Sequence, residues 1–138
     1  MKYSFERDPE GGVVLVTVNL DKKRDMQLVL DTGASCTAFD SNVLLMEEYL
    51  LDNSIGTTCV ETSNGTIDVD VFVVESLSAF GIIRHNVQVQ VYDFLAHGIT
   101  STYQGVLGLD FFDDTAFCIN LKNNTIQINQ YPDRPNVQ

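Results

Sequence analysis

The chain has 138 residues, of which 44% are apolar and 20% charged, the composition of a globular domain and too short for two separate cores. Eight Lys+Arg against nineteen Asp+Glu leave a net charge of −11, which disfavours nucleic acid and anionic membrane surfaces as partners. Apolar runs such as Val13-Val14-Leu15-Val16 are too short to span a bilayer, and residues 1–8 carry no apolar signal core, so a cytoplasmic location is expected.

Residues 1–11 read as an extension ahead of the domain. Residues 12–20 are rich in β-branched side chains and predict a strand. Asp21-Lys22-Lys23-Arg24-Asp25 is a polar turn, and residues 26–30 form a second strand, so 13–30 reads as a hairpin. The unbroken run Leu28-Val29-Leu30 implies burial on both faces. One helix follows. Asp40 or Ser41 can cap it, and Val43, Leu44, Met46 and Leu50 carry its period to about Leu51.

Residues 57–63 and 66–74 are β-prone runs on either side of Asn64-Gly65, a pair suited to a tight hairpin turn. Residues 86–92 alternate, with valines on one face, and predict another strand. Residues 93–104 read as a loop. Gly105-Val106-Leu107-Gly108 is an apolar strand that runs into a short helical turn at Leu109-Asp110-Phe111-Phe112. Residues 116–121 and 125–128, joined by Lys122-Asn123-Asn124, predict a last hairpin, and 131–138 a frayed tail.

Two histidines, His85 and His97, and three cysteines, Cys36, Cys59 and Cys118, fall at no metal-ligand or disulfide spacing, so no cofactor is expected. The histidines read as solvated loop residues. Cys36 lies near an acidic motif, but no histidine accompanies it as a base, and it reads as a partly buried thiol.

The chemistry concentrates in Leu30-Asp31-Thr32-Gly33-Ala34-Ser35. A buried strand delivers one carboxylate into a turn that contains glycine and a hydroxyl. By itself Asp-Thr-Gly also fits an ordinary Asx-turn. About 75 residues downstream comes Val106-Leu107-Gly108-Leu109-Asp110-Phe111-Phe112, and between the two lies Ser63-Asn64-Gly65. Together these segments resemble the retropepsin-like aspartic proteases, over roughly residues 12–130. Retroviral members typically carry Arg or Asn where this chain has Asp110; the Leu-Gly-Leu-Asp form is similar to cellular and bacterial members.

The resemblance implies an all-β single domain. It would be a closed β-barrel of the acid protease type with one or two short helices, active as a symmetric homodimer. Such enzymes hold two carboxylates roughly 3 Å apart that share one proton. One activates a water and the other polarises the peptide carbonyl. This chain has a single Asp-Thr-Gly, and Asp113-Asp114-Thr115-Ala116 lacks both the glycine and the apolar strand. The second acid would therefore be Asp31 of another copy, on a two-fold axis. Thr32 would brace the pair across that axis, and Gly33 would contact substrate or orient the acid. Ala34 and the Ser63-Asn64-Gly65 hairpin, as a flap, would contact a peptide or protein substrate. A non-catalytic dimerisation or peptide-binding module on the same fold remains the alternative, as does a domain cut from a longer protein.

Overall fold

The computed structural model describes residues 1–10, 12–46, 54–62, 65–99 and 103–130. Strands β3 (Val14–Leu20) and β4 (Arg24–Leu30) form the expected hairpin, in register from Leu15↔Val29 to Leu20↔Arg24. Its turn passes through Asp21 and Lys22, both left-handed at φ 54° and 60°. Three residues, 21–23, join the strands, and the Lys23 N–H donates to the Leu20 carbonyl (3.0 Å), closing a tight turn through the two left-handed residues. The Asp21 side chain also accepts a bond from the Ser76 N–H (3.0 Å), and its own N–H donates to the Ser76 carbonyl (2.9 Å). Val16, Val18 and Leu20 alternate into the core, whereas Leu28 and Val29 are consecutive and both buried, as their apolar run implies.

The other strands in chain order are β1 (Lys2–Ser4), β2 (Glu6–Arg7), β5 (Ala38–Asp40), β6 (Ser54–Thr62), β7 (Gly65–Ala79), β8 (Ile82–Tyr92), β9 (Gly105–Leu107), β10 (Thr115–Asn120) and β11 (Thr125–Gln130). The large sheet runs β2-β3-β4-β9-β5-β8-β7-β6, and a further pairing of β3 with β7 closes six of these strands into a barrel. Strand β9 decides the shape of the site. It lies between β4, to which it is parallel, and β5, to which it is antiparallel. The segment joining β4 to β5 must therefore loop over the end of a third strand. Gly105 is required there, because a Cβ would sit 2.5 Å from the Ala38 carbonyl oxygen.

A single core fills the barrel, with Met26, Leu28, Phe39, Leu77, Leu107 and Phe111 at its centre. Emptying such a site, as in Phe39→Ala, costs about 3–5 kcal/mol.

Several elements differ from the sequence-based expectation. Residues 2–7, read as an extension, are paired: β1 with β11, and β2 with β3. These strands are too short for a two-residue alternation to show. Strands β7 and β8 are longer than expected and meet at a second tight turn, Phe80-Gly81, with φ 54° and 74°. The apolar pattern breaks at Ser76, which is buried because Asp21 satisfies its backbone. His85, expected in a loop, stands in β8 opposite Ser76.

Helix α1 (Ser41–Met46) begins where expected, with the Asp40 carboxylate accepting from the Asn42 N–H (3.2 Å). The expected last turn, 47–51, lies outside the described residues, as does the tail 131–138. Short 3-10 turns occupy Leu95–His97 and Leu109–Phe112. No helix among the described residues is long and apolar enough to cross a membrane.

Candidate active site

Asp31 is the first residue past β4. Its N–H donates to the Leu107 carbonyl (3.1 Å), which extends the β4–β9 pairing by one bond and fixes the backbone from which the acid projects. The chain then turns tightly. The Ala34 N–H donates to the Asp31 carbonyl (3.1 Å), and the Gly33 N–H donates to Asp31 Oδ1 (2.8 Å). A Cβ at Gly33 would stand 3.1 Å from that same oxygen, so glycine lets the amide approach the carboxylate without displacing it. The carboxylate is thus aimed by its own turn while remaining exposed.

A second layer holds this turn from behind. The carbonyls of Ala34 and Ser35 accept from the Leu109 N–H (2.8 Å) and the Asp110 N–H (3.3 Å). Gly108 packs so closely on the loop that a Cβ would sit 2.6 Å from the Cys36 carbonyl carbon. Asp110 returns the contact. Its Oδ2 accepts from the Thr37 N–H (3.1 Å), and its Oδ1 from both the Thr37 hydroxyl (2.8 Å) and the Phe111 N–H (2.9 Å). The Thr37 hydroxyl in turn accepts from the Gly108 N–H (3.1 Å). Thr37 is fully buried, so this closed set of bonds locks the Asp31 loop to the segment after β9.

The acid opens into a cleft of about 540 Å³. It is lined by Asp31 and residues 33–36 of the turn, by Ala38 and Val106, by Gln90 and Tyr92 of β8, and by residues 59–62 of β6. Strand β6 ends the large sheet and pairs only with β7, out to Thr62↔Gly65. Opposite each other on this hairpin, the Cys59 thiol donates to Asp68 Oδ1 (3.1 Å). That bond and the carboxylate's charge push the thiol's pKa up. Tyr92 is also shifted up, first by burial, then by Tyr103 and Asp40.

Of the residues singled out in the sequence, Asp31, Gly33 and Ala34 line the cleft. Thr32 is exposed on the same turn and is not among the lining residues. Ser63 and Asn64 lie outside the described residues. Gly65, expected at the centre of the turn, is a strand residue at φ 115° whose carbonyl accepts from the Thr62 hydroxyl (2.8 Å). Cys36 is half-buried, as expected of a structural thiol, and it too lines the cleft.

Sequence reasoning missed Thr37 and the bracing role of Asp110, which lie 73 residues apart and meet only in three dimensions. It also missed Glu61, Gln90 and Tyr92. For the last two a signal existed: Val89 and Val91 face the core, so Gln90 and Tyr92 must face the other way.

A family model described as "Aspartyl protease" matches residues 14–111, from the start of β3 through the Asp110 turn. The chain belongs to the aspartyl protease family that this model describes. Its fold is similar to the crystal structure of a retropepsin-like aspartic protease from Rickettsia conorii. The TM-score is 0.61 and the identity 16%, over 91% of this chain and 87% of that one. No curated protein matches. The match to a retropepsin-like fold at so low an identity shows how little of the sequence the barrel dictates. The crossing of β9 between β4 and β5, with glycines where backbones touch, is part of what it does dictate here.

Proposed function

We propose that this retropepsin-like chain is an aspartic endopeptidase that works as a symmetric homodimer, each subunit contributing one Asp31. The observation that carries this reading is the setting of Asp31. It is an exposed carboxylate held by the Gly33 amide and lining a cleft, on a loop locked by the Thr37–Asp110 bonds. A single carboxylate cannot serve as both base and acid in the same step. Two that share a proton can: the ionised one takes a proton from water as it attacks the peptide carbonyl, and the protonated one donates to the carbonyl oxygen. The tetrahedral intermediate then collapses with proton transfer to the leaving amine. The Gly33 N–H on Oδ1 fixes the direction of the carboxylate. Thr32, exposed beside it, would meet its counterpart across the two-fold axis, and the β6–β7 hairpin would serve as the flap over the substrate.

Asp31→Asn tests this directly. The amide keeps an oxygen for the Gly33 N–H, so the turn retains its geometry, but it can neither carry the charge nor share the proton. Peptide cleavage should fall by about a thousandfold or more, as for residues that act as a unit, while the thermal midpoint changes little. Cleavage by the variant at the wild-type rate would overturn the assignment. Wild-type protein that binds peptides without cutting them would leave a binding module instead.

A further inference from the structure

The cleft beside Asp31 carries information about what it accepts. Among the described residues that line it, two are charged, Asp31 and Glu61, both acids, and none is lysine or arginine. The reaction uses Asp31. Glu61 stands on β6 opposite Thr66, its side chain exposed and without a hydrogen-bond or ion-pair partner among the described residues. Tyr92 lines the same cleft, its ring held by Phe94 (centroids 4.8 Å apart) and edge-on to His97 (5.7 Å). Beside it, Gln90 adds an amide.

A carboxylate, an aromatic ring and an amide around one polar space suit a cation. The carboxylate supplies charge-assisted hydrogen bonds, and the ring face attracts a guanidinium or ammonium. An acidic side chain would meet like charge, and an aliphatic one would strip water from Gln90 and Glu61 without replacing it.

We propose that this pocket takes a lysine or arginine side chain of the peptide substrate, with Glu61 as its counter-charge and Tyr92 as its wall. The proposal rests on the endopeptidase reading. Because Asp31 itself lines the pocket, the basic residue sits close to the cut, within about two residues on an extended chain that rises roughly 3.3 Å per residue. Two-fold symmetry would present the same pocket on both sides of the scissile bond.

The test is a peptide series in which arginine, norleucine or glutamate occupies each of the three positions on either side of the cleaved bond. It is read as kcat/KM with wild-type protein, Glu61→Gln and Glu61→Lys. Wild type should favour arginine over norleucine by about tenfold at one or two positions, the worth of a charge-assisted bond. That ratio should fall towards one in Glu61→Gln and invert in favour of glutamate in Glu61→Lys. No arginine preference in the wild type, or one that survives Glu61→Gln, would overturn the proposal.

Calorimetric binding of the same peptides to Asp31→Asn separates the two readings. Charge-dependent binding that Glu61→Gln abolishes, with no cleavage by the wild type, would reject the endopeptidase and keep the cationic pocket. Charge-independent binding would reject the pocket.

Discussion

The hydroxyl of Thr37 has two obligations in a place without water. It donates a hydrogen bond to Asp110 and accepts one from the Gly108 amide, and the residue is fully buried. Valine has the same shape and can do neither. Thr37→Val would leave the Gly108 N–H unsatisfied and Asp110 short of a donor, which costs about 1–3 kcal/mol for a buried group. Serine keeps both bonds and loses a methyl, roughly 1 kcal/mol. Urea denaturation should therefore rank wild type, then Thr37→Ser, then Thr37→Val. A valine variant as stable as the wild type would show that the network does not hold the loop. Little of this was legible in the sequence. Asp110 stood out through its Leu-Gly-Leu context, but nothing in the residues around Thr37 announces an acceptor 73 positions away. Asp31 and Gly33 were legible because their contact is local, two residues apart along the chain.

Strand β6 of the β6–β7 hairpin is an edge strand, paired among the described residues with β7 alone. Its register over the cleft is fixed by cross-strand pairs, among them Cys59↔Asp68. The thiol's bond to the carboxylate favours the neutral form, and the carboxylate's charge opposes the thiolate, so both push the Cys59 pKa up. Alkylation proceeds through the thiolate. Asp68→Asn should therefore move the midpoint of Cys59 carbamidomethylation to lower pH and speed the reaction at pH 8, followed site by site by mass spectrometry. An unchanged profile would mean that the two residues do not face each other and that the register differs. The hairpin itself was legible from two β-prone runs around Asn64-Gly65. The position of Gly65 was not, because a one-residue shift of the turn leaves composition unchanged while moving each residue to the opposite face.

At the scale of the molecule, the closed barrel has buried its core but leaves the acid of the active site exposed and single. If the second carboxylate comes from a second chain, activity depends on concentration. Specific activity should fall once the protein is diluted below its dimer dissociation constant, checked by sedimentation at the same concentrations. Mixing with an equal amount of Asp31→Asn protein, after exchange, should leave about half the wild-type activity, because half of the wild-type subunits then sit beside an inert partner in a two-fold dimer. Constant specific activity in protein shown to be monomeric would overturn the shared dyad.

The sequence by itself determined what depends on near neighbours. These are the β-rich composition, the β3–β4 hairpin, the buried run that ends in Asp31, the glycine beside it, and the apolar strand before Gly108. Periodicity and turn chemistry act over a few residues and can be read there. The tertiary structure alone decided the insertion of β9 between β4 and β5, the pairing of β3 with β7 that closes the barrel, and the capture of residues 2–7 by distant strands. It also decided the Thr37–Asp110 lock and brought Glu61 and Tyr92 to line one cleft. Each of these joins segments far apart in the chain, whose affinity for one another resides in backbone hydrogen bonds and packing that almost any β-forming residue can supply. Which strand finds which is settled by closure of the whole core rather than by any local signal.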